Sequence, residues 1–396
     1  MAKKKVALTL AGGGSLGSYE VGAIEALKEL GYEFNIVTGT SIGALNGAFV
    51  CGKQEDNLRA LWEGIRPELV MKNGINLSVR QLGAEPKATF ALDLAKWTTS
   101  YLKGGRIGAD ISPFKEYVKN ALNVDACYES DIKFGAVTTK FPIMELVDVE
   151  MQKLPKEEFL PFLHASSACF PVFPIETINK QRYVDGFYKD NLPIRLAFKL
   201  GAADVIAIDM RLFSLEPQNA FYQSLPNVEY IAPYITLGSM MDFSQEVIGK
   251  NMILGYNDVM KHFKKYRGFS FTIKDDIVAH HFLSYLLKAY DTDSKFVLDE
   301  ITEGIRDPMD ETDYFIRTLE IIALRLGIED YYTTFSYKDF KDLIVVKLKE
   351  RMAKHDEKES LLEKTEIFKS TPLALRSVKF FNEFLVGFCR DFLKLS

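Results

Sequence analysis

Residues 34–49 read FNIVTGTSIGALNGAF, and this stretch decides the fold class. Its first four residues form a short apolar run with β-branched side chains, which is typical of a buried strand. After Ser41, apolar residues recur at helical spacing. The sequence therefore predicts a strand, a sharp turn at Ser41 and a helix, an order that favours an α/β fold with a mainly parallel sheet covered by helices.

The turn at Ser41 carries the pattern G-x-S-x-G, with Gly39 and Gly43 on either side. In a nucleophile elbow, a serine occupies a strained strand-to-helix turn, and the glycines prevent collisions with the adjoining strand and helix. The N-terminus of the following helix favours negative charge that develops near the serine. An ordinary glycine-serine turn remains the alternative, because the pattern is short.

A second glycine-rich stretch, residues 12–17, follows a predicted strand at Val6–Leu10. It opens a predicted helix from about Leu16 to Leu30, which Gly31 caps. It matches the dinucleotide pattern G-x-G-x-x-G, which also requires an acidic residue at the end of the second strand. That strand ends at Ser41, and the only nearby acid, Glu33, precedes it. We therefore disfavour nucleotide binding and expect backbone N–H groups of this loop to form an oxyanion hole.

The composition is that of a globular protein, with 47% hydrophobic and 26% charged residues. A chain of 396 residues suggests two domains, or one large domain with an addition. The net charge of −5 gives no reason to expect nucleic acid as a partner. The four cysteines include no C-x-x-C pair and the five histidines form no H-E-x-x-H, so we expect reduced thiols and no metal site.

The sequence contains no stretch of about 18 apolar residues, so we expect no membrane-spanning segment. The basic start, MAKKK, imitates a signal peptide, but the apolar run that follows is too short for one. We therefore expect a cytoplasmic protein that is at most peripheral at a membrane surface. The sequence makes no prediction about oligomeric state.

A base for Ser41 is expected at the end of another strand. Residues 183–185 form a short predicted strand that ends at Asp185, where a carboxylate can reach a serine on a neighbouring strand. A turn aspartate is the alternative. Serine nucleophiles usually use histidine as their base, but none of the five histidines follows a strand in a glycine-rich loop.

Four ordered motifs together resemble the patatin-like phospholipase family. They are GGGSLGSYEVGAIEALKELG at residues 12–31, VTGTSIGALNGA at 37–48, HASSACFPVFP at 164–174 and VDGFYKDNLP at 184–193. The segment ILGYND, residues 253–258, also resembles a late motif of bacterial members. Motifs in this order over about 250 residues are far more specific than a single G-x-S-x-G.

The resemblance implies a three-layer αβα fold and a serine hydrolase that cleaves carboxylic esters of lipids or phospholipids. It implies that Ser41 is the nucleophile and Asp185 its base, in a dyad without histidine. The N–H groups of Gly12, Gly13 and Gly14 would be the oxyanion donors, and no metal or cofactor is required. Such an enzyme would work through an acyl-enzyme.

The sequence departs from the family pattern at two places. Many members have a basic residue where this chain has Leu16, so an anion contact from that side chain is absent. Phe187 stands where the aspartate motif has glycine or alanine, and its ring would narrow or reshape the pocket.

Two other functions stay open. An acyltransferase would use the same acyl-enzyme with another acceptor than water, and a non-catalytic lipid-binding protein would use no nucleophile. We predict a catalytic domain at residues 1–244 and a mainly helical region at 245–396. The apolar face of its last helix is expected to pack against the catalytic domain, or else to form a lid or membrane contact.

Overall fold

The computed structural model describes residues 4–72, 109–211, 218–274, 294–305, 308–353 and 376–393, together with Phe282 and Ser284. The chain divides into two units, Met1–Val259 and Met260–Ser396, and the division falls within one helix, Gln245–His262. The domain boundary predicted at residue 244 stays a prediction.

The first unit is built on one eight-stranded sheet. Its strands are β1 Val6–Leu10, β2 Ile36–Thr40, β3 Lys133–Phe141, β4 Glu145–Glu150, β5 Glu176–Ile178, β6 Gln181–Asp185, β7 Asp204–Ile208 and β8 Val228–Ile231. Strands β3, β2, β1, β7 and β8 lie side by side in that order and are parallel. Strands β4 and β6 run antiparallel to β3, and β5 pairs with β6. The predicted sheet with a parallel centre is confirmed.

Helices cover both faces of this sheet. They are α1 Ser18–Glu29, α2 Ile42–Cys51, α3 Glu55–Gly64, α4 Pro67–Val70, α5 Ser112–Ala121, α6 Val124–Glu129, α7 Lys156–Ser166, α8 Ile194–Lys199, α9 Gln218–Gln223 and α10 Gln245–His262. Successive residues of a strand point to opposite faces. On β2, Val37 faces Gly47 of α2, and the Thr38 hydroxyl donates to the carbonyl of Pro193, just before α8. The predicted αβα layers are therefore confirmed.

The first-unit part of α10 lies directly on α1. A Cβ atom on Gly22 would stand 1.8 Å from the Met252 carbonyl oxygen, and one on Gly255 would stand 1.8 Å from that of Tyr19. The two backbones can approach this closely only because both positions are glycine. The Tyr19 hydroxyl also donates to Asp258 at 2.9 Å. This contact anchors the helix that follows the glycine loop.

The second unit is mainly helical. Its described elements are α11 Ser294–Thr302, α12 Glu311–Arg325, α13 Tyr337–Ala353, α14 Arg376–Leu393 and a short parallel pair, β9 Thr272–Ile273 and β10 Thr334–Phe335, which the sequence did not predict. The apolar face of α14 lies in this unit's own core, where Phe388 packs against Phe282 and Phe315. Its predicted role as a lid or as packing against the catalytic domain stays a prediction. Within the described ranges, none of the helices combines the length and apolar character that crossing a bilayer requires.

Candidate active site

Ser41 and Asp185 are brought together by strand β3. β2 pairs with β3 up to Thr40, which lies opposite Val137, and β6 pairs with β3 down to Asp185, which lies opposite Thr138. Because β4 pairs with the same stretch of β3, it must occupy the other edge, and β2 and β6 share one edge. The two strands therefore meet end to end, and Ser41 leaves β2 where β6 ends on Asp185.

The hydroxyl of Ser41 donates to the carboxylate of Asp185, with 2.7 Å between Oγ and Oδ2. The other carboxylate oxygen, Oδ1, accepts the backbone N–H of Phe187 at 2.9 Å. Asp185 is only 1% exposed, and burial raises the pKa of its carboxyl to about 7, although both hydrogen bonds act in the opposite direction. Such a carboxyl can take up and release a proton near neutral pH, as a general base must.

The backbone of Ser41 is strained, with φ 55° and ψ −123°. The two elbow glycines make this turn sterically feasible. A Cβ atom on Gly39 would lie 2.3 Å from the Gly43 carbonyl oxygen, and one on Gly43 would lie 2.5 Å from the Ala11 carbonyl oxygen. Strand, turn and helix therefore pack backbone to backbone, and the predicted supporting positions Gly39 and Gly43 have no room for a side chain.

Ser166 holds the strained turn from the side. Its hydroxyl oxygen accepts the N–H of Ser41 at 2.9 Å and donates to the carbonyl of Val137 at 2.7 Å. Ser166 is fully buried on the last turn of α7. The sequence analysis did not assign it a role, although it stands inside the HASSACFPVFP motif. It links the elbow to the strand that aligns the two dyad residues.

The glycine loop lies against Ser41. A Cβ atom on Gly12 would stand 3.0 Å from Cβ of Ser41. The Gly12 N–H, however, donates to the carbonyl of Asn191 at 3.1 Å and is already bonded. For the N–H groups of Gly13 and Gly14, the described part of the chain supplies no hydrogen-bond acceptor. The prediction of three oxyanion donors therefore narrows to Gly13 and Gly14, whose role stays a prediction.

The loop is braced on two sides. Asn191 donates its side-chain N–H to the Gly12 carbonyl at 3.2 Å, and its backbone carbonyl accepts the Gly12 N–H. On the other side, the Met240 carbonyl accepts the N–H of Ser15 at 2.8 Å. Gly14 has φ 58°, and a Cβ atom there would lie 2.3 Å from the Met240 oxygen. Asn191 and Met240 lie far from the loop in sequence, and the sequence analysis assigned neither a role.

No histidine among the described residues forms a hydrogen bond with Ser41 or Asp185. His164 is buried in α7, where burial and the charge of Lys115 lower its pKa to about 4, so it is neutral at pH 7. His280, His281 and His355 lie outside the described residues.

The two departures from the family pattern have different surroundings. Leu16 is only 3% exposed and belongs to the core. Phe187 provides its backbone N–H to Asp185, a contact that does not depend on the side chain, and its ring packs against Tyr188 with 4.8 Å between centroids. The predicted effect of Phe187 on pocket shape stays a prediction.

Comparison with known proteins gives one family and several distant relatives. Residues 8–198 match the family model described as patatin-like phospholipase. The chain is 27% identical over 223 residues to lysophospholipase NTE1 of Phaeosphaeria nodorum, a match that covers 56% of this chain and 13% of that protein. It is 27% identical over 210 residues to patatin-like phospholipase domain-containing protein 7 of Mus musculus, covering 52% of this chain and 13% of that protein. The match thus spans about an eighth of the length of these curated relatives.

Among solved structures, VipD from Legionella pneumophila aligns with a TM-score of 0.43 and 15% sequence identity. The alignment covers 97% of this chain and 85% of that chain.

Proposed function

Because the chain belongs through residues 8–198 to the patatin-like phospholipase family, we propose that it hydrolyses carboxylic esters of lipids. The observation that carries the proposal is the 2.7 Å contact between the Ser41 hydroxyl and Asp185, a buried carboxyl whose pKa is raised to about 7. The activity would be of the phospholipase A or lysophospholipase type. A non-catalytic lipid-binding protein has no need for a strained serine hydrogen-bonded to such a carboxyl.

In the first step, Oγ of Ser41 attacks the ester carbonyl carbon while Oδ2 of Asp185 accepts the hydroxyl proton. The carbonyl oxygen becomes an oxyanion, which the N–H groups of Gly13 and Gly14 stabilise. When this intermediate collapses, the bond to the leaving alkoxide breaks and Asp185 returns the proton to that oxygen. The alcohol or lysolipid leaves, and the acyl group stays on Ser41.

In the second step, Asp185 accepts a proton from water while the water oxygen attacks the acyl carbon. The same N–H groups stabilise the second oxyanion. Its collapse breaks the bond to Oγ, Asp185 returns the proton to Ser41, and a fatty acid is released. Each step thus uses one carboxyl first as a base and then as an acid.

Lipid esters are the proposed substrates because the matching relatives are named as lysophospholipases and patatin-like phospholipase domain proteins. An enzyme that acts on such esters meets them in membranes or other lipid aggregates. We therefore include peripheral contact with a membrane surface in the proposal.

A panel of phospholipids and lysophospholipids, with products read by mass spectrometry, tests the proposal. Wild-type protein should release free fatty acid from at least one lipid, and Ser41→Ala should release none above background. An added acceptor alcohol separates hydrolysis from acyl transfer, since transfer would convert the fatty acid into a new ester. Equal release by wild type and Ser41→Ala would refute the proposal.

A further inference from the structure

The β3–β4 hairpin ends in four consecutive apolar residues, Phe141-Pro142-Ile143-Met144, which we call the apolar tip. Ile143 is 68% exposed, more than any other exposed large hydrophobic side chain of the described residues. Pro142 is exposed as well, and Phe141 and Met144 are half-buried. Turns favour glycine and polar residues, and a surface run of this kind is unfavourable in water unless it has a function.

The apolar tip stands above the dyad on the same edge of the sheet. β3 continues from Thr138, opposite Asp185, to Phe141, which is three residues further or about 10 Å at ~3.3 Å per residue. The neighbouring β5–β6 hairpin rises to the same level, because Arg182 of β6 lies opposite Phe141 and the turn at residues 179–180 follows beyond it. Both hairpins therefore project from the edge at which Ser41 lies.

Two cations of the β5–β6 hairpin lie beside the apolar tip. Lys180 and Arg182 are exposed, and neither forms an ion pair with another residue of the described ranges. The guanidinium of Arg182 lies over the Phe141 ring, 4.7 Å from its centroid, so its charge adjoins the apolar tip. This surface thus combines exposed apolar side chains with positive charge.

The acids on these hairpins do not neutralise the two cations. Glu145 pairs with Lys140 at 3.2 Å, and Glu176 forms a close ion pair with Lys115. A third acid nearby, Glu158, accepts the side-chain N–H of Asn179 at 2.8 Å. The cations are therefore available to an external anionic partner.

We propose that the apolar tip, together with Lys180 and Arg182, docks the protein on the surface of an anionic lipid bilayer. Apolar side chains that enter the interface next to cations that meet anionic headgroups are the chemistry of peripheral membrane binding. Insertion of the tip by about 5–10 Å leaves the dyad within about 5 Å of the headgroups, since it lies about 10 Å below Phe141. The inference rests on the proposed function, because it supplies the route by which a lipid ester reaches Ser41.

The test is co-sedimentation of the full chain with phosphatidylcholine vesicles that contain or lack phosphatidylserine. All variants carry Ser41→Ala, so that the vesicles stay intact and binding is measured independently of hydrolysis. Ile143→Ser should lower the partition coefficient about tenfold on phosphatidylserine vesicles, because it removes the most exposed apolar side chain. The double variant Lys180→Gln/Arg182→Gln should lower the partition coefficient about thirtyfold on phosphatidylserine vesicles and leave binding to pure phosphatidylcholine vesicles nearly unchanged.

Val346→Ser is the matched control, since Val346 is 51% exposed on α13 of the second unit. It should leave the partition coefficient unchanged. Absence of vesicle binding by the parent, or equal binding by Ile143→Ser and the parent, would overturn the proposal even if the lipid panel confirms hydrolysis. Thermal denaturation checks each variant, and the charge variant decides the question if Ile143→Ser is unfolded. If either tip variant changes the oligomeric state of the protein but binds vesicles as the parent does, the proposal is also overturned. The apolar tip would then contact a second copy of the chain.

Discussion

Two buried carboxyl groups of the first unit lie in regions of opposite character. Asp185 ends β6 at the sheet edge and contacts Ser41, whereas Glu20 lies inside α1 and accepts the side-chain N–H of Asn46 at 2.8 Å. Asp185 is 1% and Glu20 0% exposed, and neither pairs with a cation among the described residues. Burial raises the pKa of both, to about 7 for Asp185 and far above its usual range for Glu20.

The difference lies in what surrounds each carboxyl. Asn46 joins Glu20 to the helix packing, since it also donates to the Gly17 carbonyl and accepts from Trp62. Glu20 therefore acts as a packed hydrogen-bonding group between helices. Asp185 changes charge within the working pH range and has a hydroxyl as its partner. Burial raises the pKa of both carboxyl groups, but only Asp185 lies beside a strained serine, which is why we propose the role of a base for Asp185 and not for Glu20.

The largest effect should separate these two carboxyl groups. Ser41→Ala and Asp185→Asn should each lower kcat/KM for ester hydrolysis by about 10³-fold or more, because each removes one half of the proton transfer. Glu20→Gln keeps the same shape and should change kcat/KM by less than about threefold. Steady-state kinetics with one ester measures all three variants. If Glu20→Gln lowered kcat/KM as much as Asp185→Asn does, the proposed difference between the two carboxyl groups would be wrong.

The next largest effect concerns the glycine loop. Gly14→Ala should lower kcat by about 10²-fold, because a methyl group would strike the Met240 carbonyl and displace the N–H groups that we assign to the oxyanion. Gly31→Ala is the control, since Gly31 also has positive φ, 82°, but no described residue other than its chain neighbours lies within 4 Å of a Cβ atom placed there. It should lose only about 1 kcal/mol of folding stability. Equal kcat values for both variants would contradict the assigned donors.

A smaller effect is expected from the residue that holds the elbow. Ser166→Ala should lower kcat about tenfold with little change in KM, because Ser41 loses the partner of its N–H but keeps its contact with Asp185. Ser167→Ala is the neighbouring control, because within the described ranges the Ser167 hydroxyl bonds only to the Leu163 carbonyl, at 3.3 Å. If both variants keep the wild-type kcat, Ser166 has no positioning role.

The remaining effect is on folding stability rather than on activity. The pKa of Asp185 is about 7 in the folded protein and about 3.9 when unfolded. Between these values the folded state binds the extra proton, so stability falls as pH rises and the whole cost is present above pH 7. Asp185→Asn cannot ionise and should be more stable than wild type by roughly 2–4 kcal/mol at pH 8, with little difference at pH 4. Denaturant unfolding at both pH values measures this, and Glu20→Gln should also gain stability relative to wild type as pH rises, because burial raises the pKa of Glu20 as well.

The contact between Ser41 and Asp185 could be predicted from sequence because the signals for both residues are local. Ser41 stands in a strand-turn-helix pattern and Asp185 at the end of a β-rich segment beside glycine, so each carries its own context. The parallel centre of the sheet followed from the alternation of strands and helices in the first 50 residues. Strands of two residues, such as β9 and β10, carry too little pattern to be recognised.

The other features depend on pairing between distant segments. No local sequence pattern predicts that β6 and β2 pair with the same edge of β3. Nor does one predict that the Ser166 hydroxyl accepts the Ser41 N–H, or that the Asn191 carbonyl accepts the Gly12 N–H. Because the Gly12 N–H already donates to the Asn191 carbonyl, only Gly13 and Gly14 remain as candidate oxyanion donors. Likewise, the apolar face of α14 indicated burial, but only the contacts of Phe388 identify the core to which it belongs.

The central claim is that Asp185, with a pKa near 7, is the base for Ser41. The most direct measurement is the rate at which a fluorophosphonate labels Ser41 as a function of pH, with the site identified by peptide mass spectrometry. The rate should rise about tenfold per pH unit below pH 7 and level off above it, because only the ionised carboxyl accepts the proton. Asp185→Asn should abolish this rise. Labelling of Ser41 that is independent of pH, or equally fast in Asp185→Asn, would contradict the claim.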